Sequence, residues 1–292
     1  MSQIGLLRQL ARAKRNAKLS GEKIEKLQNK KLRRLLHHAY HNSKYYYEAF
    51  RSVGITEEMI DTTPLSVFPT IDKRILLDRF NDIITVPELT QSALQEFDEA
   101  IGADRKPYKN EYHVVHSSGS TGKPGYFIYD NKAWNAKLIG IIRAALWDLS
   151  LPQIIKLLAG KPHILYIAAA DGHYGGAMAV GDGIDGVGAE QLHLDIKTPL
   201  SEWVKKIKDF QPDIVIGYPS AIKILGELTR TGEVQTNISR IISCGEPLGI
   251  HMRQYFEETF TKAVVLNFYG ASESLALGVE ENNEDDMILF RL

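Results

Sequence analysis

From Tyr112 onward the sequence alternates short apolar runs with helical patterns, and this alternation limits the choice of fold more than any other feature. Strands are expected at Ile164–Ala168, Asp213–Gly217, Ile241–Cys244 and Val264–Phe268. Between and around them, helical patterns cover Asp130 or Asn131 to Leu149, a stretch that starts at Thr198-Pro199 and ends before Pro212, Ser220–Thr229 and Gly249–Phe260. Short apolar strands separated by helices predict a largely parallel sheet covered by helices. Ligands of such sheets gather at the C-terminal ends of the strands. The expected fold class is therefore α/β.

The first third reads differently. Ile4–Lys31 is rich in Lys and Arg with apolar residues at helical spacing, and a second helical pattern runs from Leu32 to Phe50. Gly54 breaks that pattern, Pro64 and Pro69 mark turns, and Ile71–Phe80 predicts another short helix. A basic amphipathic helix can touch membranes or RNA. Here we expect a solvated helix laid on its own domain. The division expected is a mainly helical region over residues 1–105 and an α/β nucleotide-binding region over 106–292.

Charge and composition exclude several classes. Net charge is -1 over 292 residues, which implies no bulk attraction to nucleic acid or anionic membrane. The single cysteine, Cys244, precludes an internal disulfide. No apolar run reaches the length of a membrane span, and the first residues lack a signal-peptide pattern. A cytoplasmic protein is expected.

Between two extended segments, Tyr112–His116 and Tyr126–Tyr129, lies Ser117-Ser118-Gly119-Ser120-Thr121-Gly122-Lys123-Pro124. Its hydroxyls, glycines and lysine can converge on an anion, and that inventory suits a polyphosphate. It is not a Walker loop. Only Ser120 and Thr121 separate Gly119 from Gly122, and Pro124 prevents the helix that should come next.

This segment resembles the phosphate-binding signature of adenylate-forming enzymes, such as acyl–coenzyme A ligases and luciferases. Gly245-Glu246-Pro247-Leu248 and Tyr269-Gly270-Ala271-Ser272-Glu273 resemble two further motifs of that superfamily, in the right order, with Ser272 where Thr is usual. Tyr45–Ile75 and Gln211–Ser220 look most like the phenylacetate–coenzyme A ligase branch.

The resemblance implies the N-terminal domain type of acyl-adenylate synthetases. It implies ATP-dependent activation of a small-molecule carboxylate, with Mg²⁺, followed by transfer to coenzyme A or a carrier thiol. It assigns Ser117, Ser118, Gly119, Ser120, Thr121, Gly122 and Lys123 to the phosphates. Gly245, Glu246, Pro247 and Tyr269 go to the adenine pocket, Gly270 and Ser272 to the α-phosphate turn, and Glu273 to the metal. His173, with Lys123 and Glu273, is expected to serve catalysis, against the acyl group. Tyr218, Pro219 and Ser220 could line the acyl pocket.

The superfamily continues with a ribose-binding acidic residue and a C-terminal domain that bears a catalytic lysine. Neither is found by Leu292, so a second chain or a further domain is expected to complete the site. The alternative expectation is a non-catalytic or split-subunit nucleotide-binding module of the same fold.

Some motifs carry other readings. Gly181-Asp182-Gly183-Ile184-Asp185-Gly186 fits a dinucleotide pattern but is expected to be a turn-rich loop. His37 and His41 stand four apart, but no third ligand recurs at metal spacing, so zinc is not expected. The acidic run Glu280–Asp286 is expected to be a solvated loop.

Overall fold

The computed structural model describes residues 3–101, 106–117, 124–169, 175–280 and 287–289. The chain divides into two compact units, Met1–Lys14 with Tyr129–Phe290, and Arg15–Ile128 with the last two residues.

The chain opens with α1 (Gln3–Ala17), α2 (Gly21–Asn42), α3 (Lys44–Ser52), α4 (Lys73–Asp78), α5 (Phe80–Ile83) and α6 (Gln91–Ile101). β1 (Tyr112–His116) and β2 (Tyr126–Asp130) then pair with each other. The helical breaks fall at Lys18–Ser20 and at Ser43, not near residue 31. Ser43 marks the second break because its hydroxyl accepts the Tyr46 N–H and caps α3, while the same hydroxyl donates to the Asp82 carbonyl. In this unit Leu36, Tyr40, Phe50, Ile55, Ile60 and Phe68 form one core cluster. Phe80, Leu89, Leu94, Val114 and Tyr126 form another.

The other unit is the α/β sheet. Its elements are α7 (Asn131–Ala145), α8 (Leu151–Ala159), β3 (His163–Ala168), α9 (Gly175–Val187), β4 (Glu190–Asp195), α10 (Leu200–Phe210), β5 (Ile214–Gly217), α11 (Pro219–Arg230), β6 (Arg240–Cys244), α12 (Ile250–Thr259), β7 (Val264–Tyr269), β8 (Gly278–Glu280) and β9 (Met287–Leu289). The strand order is β4-β3-β5-β6-β7-β8-β9. β3 to β7 are mutually parallel, and β8 and β9 are antiparallel to their neighbours.

The strands are apolar on both faces, and alternate residues go to opposite sides. Leu165, Ile167, Val215, Ile241 and Val265 pack under Trp203 and Ile207 of α10, Ile222 and Leu225 of α11, and Phe256 of α12. Ile164, Tyr166, Ile214, Ile216, Ile242 and Leu266 pack under Val180 and Ile184 of α9. The handedness of crossovers explains the distribution. The step from β3 to β4 runs against the later steps, so a right-handed connection puts α9 on the face opposite α10–α12. Leu6 and Leu10 of α1 join Ile139, Ile142 and Ile154 of α7 and α8 in a further cluster, with Val187 of α9.

Three expectations need correction. Helix α7 stops at Ala145, and Ser150 starts α8 with a capping box completed by Gln153. The Gly181–Gly186 segment is not a loop but the second half of α9. Glycine costs about 1 kcal/mol per residue in a helix interior. Burial of Val180, Ile184 and Val187, spaced along one helical face, outweighs it, and Asp182 accepts the Trp134 indole N–H at 2.8 Å. Glu280 is not solvated either: it ends β8 buried against Arg253, which also donates to the Val265 carbonyl. Residues 281–286 lie outside the described residues.

At the N-terminal edge of the sheet, buried Arg240 makes a two-pronged contact with Asp148, Nη1 to Oδ1 at 2.7 Å and Nη2 to Oδ2 at 2.9 Å. It ties β6 to the turn after α7. Removing one partner strands a buried charge, so Asp148→Ala is expected to destabilise the unit by about 3 kcal/mol. Urea denaturation should show a lower midpoint with unchanged slope.

Candidate active site

In the strand order, β3 and β5 are neighbours whose following helices leave on opposite faces. The crevice beyond their carboxyl ends is the switch point where open parallel sheets bind ligands. The segment after β3 that carries His173 lies outside the described residues, as do Ser118, Gly119, Ser120, Thr121, Gly122 and Lys123. The turns beyond β5, β6 and β7 are described, and they hold the remaining expected residues of this unit.

β5 leads into Tyr218, β6 into Gly245-Glu246-Pro247 and β7 into Tyr269-Gly270. Register puts Gly217 beside Ser243 and Cys244 beside Phe268, so these turns leave the sheet side by side. Gly245 has φ +79°, and a β-carbon there would lie 2.5 Å from the Tyr218 ring. Only glycine lets the turn close over that ring. Glu246 is held from outside its own turn: its carboxylate accepts the Ser220 backbone N–H at 3.1 Å and the Ser220 hydroxyl at 2.9 Å. It thereby caps the N-terminus of α11, where a negative charge is favoured. Glu246 and Pro247 are exposed.

The Tyr269–Glu273 segment is a tight turn. A β-carbon on Gly270 would stand 2.2 Å from the Leu275 carbonyl, so this position also requires glycine. The Ala271 carbonyl accepts the Ser274 and Leu275 N–H groups, and buried Leu275 sits at φ +53°. Two side chains fasten the turn. Tyr129 donates its hydroxyl to the Ser272 carbonyl at 2.5 Å, and Lys137 donates to the Ser274 hydroxyl at 3.0 Å. The Tyr129 phenol is pushed well above its ordinary range, first by burial and then by the negative charge of Glu273. Glu273 is exposed, and Tyr269 presents half its surface to solvent.

Below these turns is an apolar cavity of about 70 Å³ between α7, α8 and α9 and the sheet. Val180, Gly183 and Ile184 line it from α9, and Ile216, Ile242, Cys244 and Phe268 from the strands. Cys244 and Phe268 are the residues just before the Gly245 turn and the Tyr269 turn, so the cavity reaches the foot of both. Apolar walls of this kind keep a cavity dry and open to an apolar ligand. The cavity could not be read from the sequence, because its lining residues have the pattern of ordinary core.

The remaining expected residue, Ser117, belongs to the other unit. Its N–H donates to the Gly125 carbonyl, and its hydroxyl accepts the Gly125 N–H, both at 3.0 Å. This pair ties Ser117 to Gly125, the residues on either side of Ser118–Pro124. Beside it, His116 Nδ1–H donates to the Ser117 carbonyl. Burial, then the charge of Asp98, pushes the Tyr126 phenol up to about 12.

No family model matches the chain. It is 27% identical over 274 residues to the phenylacetate–coenzyme A ligase of Aromatoleum evansii, covering 90% of this chain and 54% of that protein. It is 26% identical over 270 residues to the phenylacetate–coenzyme A ligase of Escherichia coli K12, covering 89% and 54%. Among solved structures, 2-hydroxyisobutyryl-CoA ligase in complex with 2-HIB-AMP and CoA superposes with a TM-score of 0.69, at 16% identity, over 93% of this chain and 54% of that one. In sequence the chain is similar to phenylacetate–coenzyme A ligases, and in fold it is similar to 2-hydroxyisobutyryl-CoA ligase. The relatives named are coenzyme A ligases of the phenylacetate type, and the chain spans about half their length.

Cys244 offers a direct test of the cavity wall. Burial pushes its thiol up to about 12, against a backbone hydrogen bond from Gly217 that works the other way and the charge of Glu246 that adds to it. Only the thiolate reacts, so alkylation of the folded protein at pH 8 should be on the order of 10²–10³-fold slower than for a free cysteine. The rate should climb with pH and reach the free-cysteine value on unfolding. Because the chain has one cysteine, mass spectrometry of the alkylated protein reads the result without ambiguity.

Proposed function

We propose that this chain forms the carboxylate- and nucleotide-binding part of a cytoplasmic acid–thiol ligase. A carboxylate oxygen of the substrate attacks the α-phosphorus of ATP, and pyrophosphate departs. The resulting acyl adenylate then yields its acyl group to the sulfur of coenzyme A or a carrier thiol, and AMP departs. The observation that carries this reading is the apolar cavity reaching the foot of both motif turns at the C-terminal ends of parallel strands. A carboxylate with an apolar tail seated there would hold its reacting oxygen at the mouth of the crevice.

The residues fit the group they would hold. Tyr269 offers an exposed ring face to adenine, and the Gly245–Pro247 backbone borders the same crevice. Ser272 supplies a hydroxyl beside the α-phosphate. Ser118, Ser120, Thr121 and Lys123 would donate to the β- and γ-phosphates, with Gly119 and Gly122 allowing close backbone approach. Exposed Glu273 has the hard oxygen donors that Mg²⁺ takes, and that ion would neutralise charge on the departing pyrophosphate. His173 would stand against the acyl group. The names of the relatives support an acid–thiol ligase, and the solved neighbour binds an acyl adenylate and CoA.

The test is carboxylate-dependent exchange of labelled pyrophosphate into ATP by the complete gene product, with a panel of aryl and alkyl acids. Exchange is expected with apolar acids. ATP binding without exchange for any acid would favour the non-catalytic module. Lys123→Ala should lower exchange by ~10²–10³-fold, the usual cost of one lost electrostatic contact to developing charge, with no change in thermal stability.

Gly183 tests the cavity itself. A β-carbon there meets nothing within 4 Å, so an added methyl fits at this cavity-lining position. Gly183→Ala should keep the fold and cut kcat/KM for the bulkiest tails by at least ~10-fold relative to the smallest, since pocket volume is read at about 1–3 kcal/mol per methylene. Equal effects on all acids would place the acyl group elsewhere.

A further inference from the structure

In the helical unit, His37 and His41 stand one turn apart on α2, with nearly parallel rings whose centroids are 6.4 Å apart. The short 3₁₀ turn Glu57–Met59 brings a third group that no local spacing announces. A nitrogen of each histidine and a Glu57 carboxylate oxygen all lie within 4.8 Å of one another. His41 Nε2 is 2.9 Å from Glu57 Oε1, and His37 Nε2 is 3.1 Å from Asp61 Oδ1.

The scaffold beneath is well fixed. Arg33, one turn before His37, donates to the carbonyls of Ile60 and Thr63, each at 2.7 Å. Tyr40, Ile55 and Ile60 are buried in a common core under the same turn. The helix and the carboxylate-bearing turn are therefore held together by contacts that do not involve the histidines. The four side chains meet at the surface as a consequence of that packing.

We propose that His37, His41 and Glu57 form a binding site for a divalent cation of the zinc class, with Asp61 in reach as a fourth ligand. Two imidazoles with one carboxylate are a mixed nitrogen–oxygen set that suits Zn²⁺, Co²⁺ or Ni²⁺, while Mg²⁺ and Ca²⁺ take all-oxygen sets. Tetrahedral zinc, with bonds near 2.1 Å, places ligand atoms about 3.4 Å apart. The present nitrogen–oxygen pairs are slightly closer than that, and the wider pairs need only side-chain rotation. Each Nε2 would give its lone pair to the cation and keep the ring proton on Nδ1, and the two carboxylates would balance the dipositive charge. The cation would clip α2 to the Glu57–Asp61 turn. This site is separate from the Mg²⁺ role of Glu273 and does not depend on the ligase reading.

The test uses full-length protein stripped with a chelator and titrated with Zn²⁺ by calorimetry, and with Co²⁺ by visible absorption. One equivalent of zinc is expected at micromolar affinity or tighter, with the intense visible bands of tetrahedral Co²⁺ and a rise in melting temperature. His37→Ala and His41→Ala should each weaken binding by at least ~100-fold, the upper end of what losing a merely supporting partner costs. Glu57→Gln should abolish the tetrahedral Co²⁺ spectrum, and His251→Ala, outside the cluster, should change nothing. All four substitutions are at residues with solvent contact, and circular dichroism checks their folding. Zinc binding that survives both histidine substitutions, or affinity no better than millimolar, would overturn the proposal.

Discussion

The fold depends on covering both faces of a parallel sheet. β3, β5 and β6 are buried at nearly every position, so neither face tolerates water. Alternate side chains feed two separate cores, one beneath α10–α12 and one beneath α9. Once chirality fixes which helices lie on which face, β3 and β5 must send their chains in opposite directions. The crevice at their carboxyl ends results from that, and so does the position of the motif turns. The site is a by-product of burying the sheet correctly.

Polar groups act mainly as fasteners at places where burial cannot specify geometry. Arg240 with Asp148 pins the N-terminal edge of the sheet, and Arg253 with Glu280 pins β8 against α12. Glu246 seats one motif turn on the N-terminus of α11, while Tyr129 and Lys137 hold the other. Ser117 and Gly125 are bonded to each other in the same way. Several residues that resemble superfamily positions are therefore also structural. Glu246 is exposed, and its carboxylate is engaged by Ser220.

Much of the architecture is legible in the residues alone. The strands Ile164–Ala168, Ile241–Cys244 and Val264–Phe268 fall within a residue or so of their expected bounds, because apolar runs flanked by glycine, proline or polar turns have few other fates. β1 coincides with the extended segment expected there, since Tyr112–His116 is bounded on both sides by turn residues. β4 escapes the sequence pattern, because Glu190–Asp195 alternates polar and apolar residues at a sheet edge and lacks the continuous apolar signal. The Gly181–Gly186 segment misleads for the opposite reason. Its local composition favours a turn, and only the packing of Val180, Ile184 and Val187 makes it helix.

By itself, the sequence determined the α/β class, the strand-then-turn setting of Gly245–Pro247 and Tyr269–Glu273, and the superfamily resemblance, all of which reside in local pattern. Tertiary structure alone decided which side chains meet across long separations. Cys244 and Phe268 became walls of one cavity because β6 and β7 are neighbours in register. Asp182 became the partner of Trp134. Glu57 came to stand beside His37 and His41, although spacing along the chain had offered no third ligand. The physical reason is common to all three. Local pattern specifies which face of an element is buried, but the partners across that face are chosen by how the chain turns back on itself, and no periodicity records that choice.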